Sequence, residues 1–216
     1  MSDAVRPEAL LMDFGGVLTT NVFDSYEAFC AEAGLPPGAV RDCFRHDPDG
    51  ARLLVDAEEG RLSEDEFSLR LAARLGEQAG VAVDPEGLLA RLNAGLKPKP
   101  ALARATVTIR RSGVTTVLVS NSLGDASYRG FDFDELFDHV VLSGRVGVRK
   151  PSRRIFRIAA DVASVSPERC LMVDDLEHNL VGARRLGMQT ILHRDPAETL
   201  TLLERVFGIP LAAKAA

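Results

Sequence analysis

The sequence predicts an open parallel α/β sheet interrupted near its start by a helical insertion. Short apolar runs alternate with amphipathic segments through the second half of the chain, the pattern of repeated β-α-β units. These runs end in polar residues or glycine, as buried parallel strands do when they deliver side chains to one sheet edge. From about Thr20 to Lys97 the apolar spacing is helical, with no comparable strand.

Taken in order, Ala9 to Met12 read as a buried strand ending at Asp13, with Gly15 and Gly16 opening a loop. Phe23, Tyr26, Phe29 and Cys30, then Leu62, Phe67, Leu71 and Leu75, then Leu88, Leu89 and Leu92 mark the apolar faces of the inserted helices. The insertion is acidic while the rest of the chain is close to neutral, a second sign of two units. Leu96 to Pro100 (LKPKP) breaks the helical pattern and reads as a hinge. A helix from Ala101 to Arg111 leads through Gly113 to a strand at Thr115 to Val119. After Gly144 the order is helix Ser152 to Ala163, strand Cys170 to Val173, helix Glu177 to Leu186, strand Thr190 to Leu192 and helix Ala197 to Phe207. The alanine-rich tail, Leu211 to Ala216, reads as frayed.

Composition narrows the function. With 216 residues, 46% of them hydrophobic, the chain has enough apolar material for a sizeable core. A net charge of −5 and a pI near 5.4 leave no broad cationic field, which excludes a nucleic-acid or anionic-membrane partner. No apolar run approaches the roughly 20 residues that span a bilayer. The first residues, with Asp3 and Glu8, do not read as a secretory signal, so a cytoplasmic setting is expected. Cys30, Cys43 and Cys170 are odd in number and read as reduced core thiols. Cys43 and His46 form a C-x-x-H pair, but His139, His178 and His193 stand at no zinc-ligand spacing from it.

The strand ends carry the chemistry. They are Asp13, Ser120-Asn121 and Asp174-Asp175, with Lys150-Pro151 ahead of a helix. Three carboxylates in one crevice raise each other's pKa unless a cation joins them, and hard oxygen ligands favour Mg²⁺. Lys150, Ser120 with Asn121, and the backbone N–H groups of Phe14, Gly15 and Gly16 then read as a phosphate site, with Asp13 as candidate nucleophile. Phe23, Tyr26 and Phe29 read as packing residues of the insertion. Arg41, Arg45 and Arg52 read as a solvated helix face, with reach to an anionic substrate as the alternative. His178, in the first turn of a helix, is left out of the catalytic set.

Four motifs, LLMDFGGVL at Leu10–Leu18, TVLVSNS at Thr116–Ser122, GVRKPSRRIF at Gly147–Phe156 and LMVDDLEHNLVGARRLGM at Leu171–Met188, occur in the order found in the haloacid dehalogenase (HAD) superfamily of hydrolases, which the chain resembles. The resemblance implies a Rossmann-like core, residues 1–19 plus 98–216, with a C1-type helical cap at 20–97. It implies Asp13 as nucleophile, Ser120 and Lys150 as catalytic phosphate binders, and Mg²⁺ on Asp13, the Gly15 carbonyl and most directly Asp175. Asp174 would act through water or by positioning Lys150. Phosphatases of the superfamily carry a second aspartate two residues after the nucleophile, as general acid and base; here that residue is Gly15.

The D-x-G-G-V motif is similar to that of the phosphatase-like domain of epoxide hydrolases and of sugar-phosphate phosphatases. The expectation is a Mg²⁺-dependent phosphatase, monomer or homodimer, acting on a small phosphorylated metabolite. A metal-independent 2-haloacid dehalogenase and a weak or silent phospho-ligand-binding protein remain as alternatives. A phosphorylatable receiver is set aside, because its acidic pair precedes the acceptor aspartate.

Overall fold

The computed structural model describes residues 6–124, 128 and 130–211. The tail residues from 212 on, read above as frayed, lie outside the described residues. Five strands, β1 (Ala9–Met12), β2 (Thr115–Ser120), β3 (His139–Leu142), β4 (Cys170–Asp174) and β5 (Gln189–Leu192), form one parallel sheet in the order β3-β2-β1-β4-β5. Between β1 and β2 run α1 (Val22–Glu32), α2 (Ala39–His46), α3 (Pro48–Glu58), α4 (Glu64–Ala79), α5 (Leu88–Asn93) and α6 (Pro100–Arg111). Later come α7 (Phe133–Leu136), α8 (Ser143–Val146), α9 (Arg153–Val162), α10 (Glu177–Arg184) and α11 (Pro196–Phe207).

β1 is central, with Ala9 to Met12 beside Thr115 to Leu118 on one flank and Cys170 to Val173 on the other. Its four residues are all buried because both sheet faces are covered, so the strand is apolar without alternation. The pleat still sorts them. Leu10, Met12, Leu118 and Val173 pack with Leu102 and Ile109 of α6 and Leu203 and Phe207 of α11. Ala9, Leu11, Val117 and Met172 pack instead with Ile155 and Phe156 of α9 and Leu180 of α10.

β3 is absent from the sequence reading. It is a four-residue edge strand in which only Val141 and Leu142 are buried, too short for a period to show.

The insertion has an apolar cluster of its own, including Phe29, Phe67, Leu71, Leu75 and Leu88. Thr19 and Pro98 pair as an antiparallel bridge where the chain leaves and rejoins the sheet unit. Pro100 begins α6, one residue earlier than the pattern suggests, in the first-turn position where its missing N–H costs nothing. All three cysteines are buried and free. Among the described residues no helix is long and apolar enough to cross a membrane.

Candidate active site

β1 and β4 end side by side, which brings Asp13, Asp174 and Asp175 together. One carboxylate oxygen from each lies within 4.8 Å of the others. Lys150 is buried between two of them, its Nζ 2.7 Å from Asp13 Oδ1 and 2.7 Å from Asp174 Oδ2. Asp13 Oδ1 also accepts from its neighbour, the Phe14 N–H, at 2.7 Å. Asp174 accepts further from Asn179 Nδ2, at 3.0 and 3.2 Å, and from the Leu176 N–H at 2.9 Å.

Burial pushes the Asp13 carboxyl up to about 8; Lys150 opposes this, while Asp174 and Asp175 add to it. Burial, then Asp174, lifts Asp175 to about 6. Burial also works against the Lys150 ammonium, but Asp13 and Asp174 outweigh it and its pKa rises. The cluster is therefore short of positive charge despite Lys150, and its all-oxygen donors suit a hard divalent cation such as Mg²⁺. Gly16 makes room for this arrangement. Its φ is 81°, and a Cβ there would sit 2.2 Å from Asp175 Oδ2.

The Phe14 N–H is held by Asp13, and the Gly16 N–H donates to Thr19 Oγ1 at 3.3 Å, so both already have partners within the loop. Ser120 is buried and accepts from Tyr128 OH at 3.0 Å. Asn121 accepts from the Lys150 N–H at 2.8 Å and donates to the Lys150 carbonyl at 3.2 Å, a clamp on that residue's backbone. From behind, Lys99 Nζ donates to the Gly16 carbonyl at 2.7 Å and lies 3.2 Å from His193 Nε2. Burial, then Lys99, pushes the His193 imidazole down to about 4.

Asp13, Ser120, Asn121, Lys150 and Asp175 line a cavity of about 870 Å³ that also touches the insertion. Tyr26 and Phe23 line it as well as belonging to α1, and Arg41 and Arg45 reach it from α2. Both arginines are exposed, as a solvated helix face requires, and they line the cavity as well. Arg52 is different: its side chain is 83% exposed and pairs with Asp56 at 3.8 Å. His178 lines the cavity from an exposed position.

Glu58 escaped the sequence reading. It ends α3, is buried in the cavity wall, accepts from Asn121 Nδ2 at 3.4 Å and pairs with Arg149. Burial pushes its carboxyl up to about 7, against the pull of Arg149 and Lys150. A glutamate at a helix end carries no periodic signal that distinguishes it from a solvated one.

The profile of the haloacid dehalogenase-like hydrolase family matches residues 7–187. Bifunctional epoxide hydrolase 2 of Sus scrofa is 28% identical over 218 residues, 94% of this chain and 39% of that protein. The chain thus spans about two fifths of that relative's length. Glyceraldehyde 3-phosphate phosphatase of Pyrococcus furiosus is 28% identical over 100 residues, 44% of this chain and 42% of that protein. Among solved structures, a HAD family enzyme of Bacteroides thetaiotaomicron in complex with magnesium and inorganic phosphate shares the fold. Its TM-score is 0.66 at 22% identity, over 87% of this chain and 94% of that one.

Proposed function

We propose that this chain, which belongs to the haloacid dehalogenase-like hydrolase family, is a Mg²⁺-dependent phosphatase that acts on a small phosphorylated metabolite through an aspartyl-phosphate on Asp13. The observation that carries the reading is the buried Asp13–Lys150–Asp174 chain of contacts with Asp175 beside it. The Pyrococcus phosphatase and the magnesium- and phosphate-bound neighbour support it. In this reading residues 20–97 are a cap over a core of 1–19 plus 98–216.

Asp13, the Gly15 carbonyl and Asp175, with Asp174 through water, would hold Mg²⁺, which neutralises phosphoryl charge when bound. Asp13 Oδ1 is anchored by Lys150 and the Phe14 N–H, so Oδ2 is the oxygen that attacks phosphorus. The P–O bond to the leaving group breaks as the new one forms, and the leaving oxygen takes a proton. Water then attacks the phosphorus of the acyl phosphate, releasing inorganic phosphate and restoring Asp13. Lys150 and Ser120 bind the phosphoryl oxygens, and Asn121 holds Lys150 in register.

The test is a phosphate ester incubated with Mg²⁺, acid-quenched, and read by mass spectrometry for a phosphoryl group on Asp13. Asp13→Asn is expected to lose the adduct and about 10⁴-fold or more in turnover. Turnover retained in that variant sinks the reading. So does chelator-resistant halide release from 2-chloropropionate without ester hydrolysis, which would make the chain a dehalogenase.

A further inference from the structure

Hydrolysis of a phosphate ester needs a proton at the leaving oxygen, and later a base for the attacking water. Gly15, two residues after Asp13, has no side chain to serve either need. The same cavity receives a carboxyl from the insertion instead. Glu58, at the last residue of α3, is 9% exposed in the wall that also contains Asp13, Ser120 and Lys150.

Its placement is built into the backbone. A Cβ on Gly60 would lie 2.2 Å from the Gly144 carbonyl oxygen, and one on Gly144 3.1 Å from Ser122 Oγ. The turn after α3 therefore rests backbone to backbone on α8, with Gly60 at a φ of 70°. An ion pair that served only to dock α3 could form anywhere along this seam. Glu58 and Arg149 instead meet at the cavity, where Asn121 joins Glu58 to the Lys150 clamp. Both of these contacts use Glu58 Oε2.

Resting on the phosphatase reading, we propose that Glu58 is the proton donor and acceptor of the reaction. Its carboxyl gives a proton to the leaving oxygen as Asp13 attacks and the P–O bond breaks, yielding the alcohol. Its carboxylate then takes a proton from the water that attacks the aspartyl-phosphate. One water is consumed, phosphate is released and Glu58 ends the cycle as the acid again. A carboxyl that burial holds near 7 populates both forms at neutral pH, which is what the two half-reactions require.

The experiment compares kcat/KM for a simple alkyl phosphate and for 4-nitrophenyl phosphate, whose leaving group needs no proton, in wild type, Glu58→Gln and Glu58→Asp with Mg²⁺ saturating. Glu58→Gln is expected to lower the alkyl value by about 10²–10⁴-fold and the aryl value by less than about tenfold. The alkyl-to-aryl ratio cancels the amount of folded enzyme, so partial unfolding of a variant does not blur it. Glu58→Asp, which keeps the carboxyl, is expected to hold that ratio within about tenfold of wild type. Equal losses for both esters would make Glu58 a docking residue and overturn the proposal. So would an altered ratio in His178→Ala with none in Glu58→Gln. A wild type that hydrolyses neither ester overturns the phosphatase reading and this proposal with it, whereas an active wild type with an unmoved ratio overturns Glu58 alone.

Discussion

The sheet edge and the insertion face one cavity but hold their side chains in different ways. On the sheet side, Asp13, Lys150 and Asp174 are buried and bonded to one another, and Asp174 takes donors from three residues. On the insertion side, Arg41 and Arg45 stand exposed on one helix, while Glu58 is buried with partners across the seam. Groups that make and break bonds gain from being fixed before the substrate arrives, since reorganisation during reaction weakens their stabilising effect. Groups that select a substrate gain from freedom to adjust. On the proposed function the degree of anchoring would separate chemistry from recognition, with Glu58 on the side of the chemistry although it lies on the insertion.

The sharpest way to break this contrast is Lys150→Met, which removes the ammonium from between two buried carboxylates. Breaking a buried pair costs about 3–5 kcal/mol, so the urea midpoint should fall steeply, and less so with Mg²⁺ saturating. An unchanged midpoint would mean that the sheet side is not held by this pair.

A smaller effect is expected at Gly15, where a Cβ would lie 2.7 Å from Val22 Cγ2. Overpacking of this kind costs about 1–3 kcal/mol, so Gly15→Asp should destabilise the fold in the same urea titration. It should not speed hydrolysis of alkyl phosphates, because Glu58 already exchanges the proton. A gain of about 10²-fold or more would return the missing acid to the sheet side.

The smallest effects belong to the arginines. An exposed ion pair is worth up to about 1 kcal/mol, so Arg45→Ala should raise KM about fivefold for an anionic substrate with kcat unchanged. Arg52→Ala, with its side chain in solvent, should leave both constants unchanged. Equal responses in steady-state kinetics would erase the distinction between the two arginines.

The sheet side was legible in the sequence because parallel strands deliver their terminal residues to one edge. Finding where the apolar runs stop therefore finds Asp13, Ser120 and Asp174-Asp175. Lys150 was legible from its place ahead of a helix, but its clamp by Asn121 was not, because that contact joins two loops. β3 was lost to its shortness and its edge position. The insertion's apolar cluster, with Phe29, Phe67 and Leu71, follows helical spacing and was readable. Its contribution to the cavity was not. Periodicity tells which face of α3 is apolar, but the reach of Glu58 depends on Gly60 meeting Gly144, a contact between residues far apart in the chain.

The pairing of Thr19 with Pro98 carries a consequence for how the chain is assembled. Because the ends of the insertion are held together there, everything between them is a single closed loop as far as the sheet is concerned. The entropy of closing such a loop grows only logarithmically, about 0.6 kcal/mol for each doubling of length. In chain-entropy terms the sheet is nearly indifferent to how long the inserted segment is. Segments of very different size can be exchanged at this junction while β1, β2 and the residues at their ends keep their places.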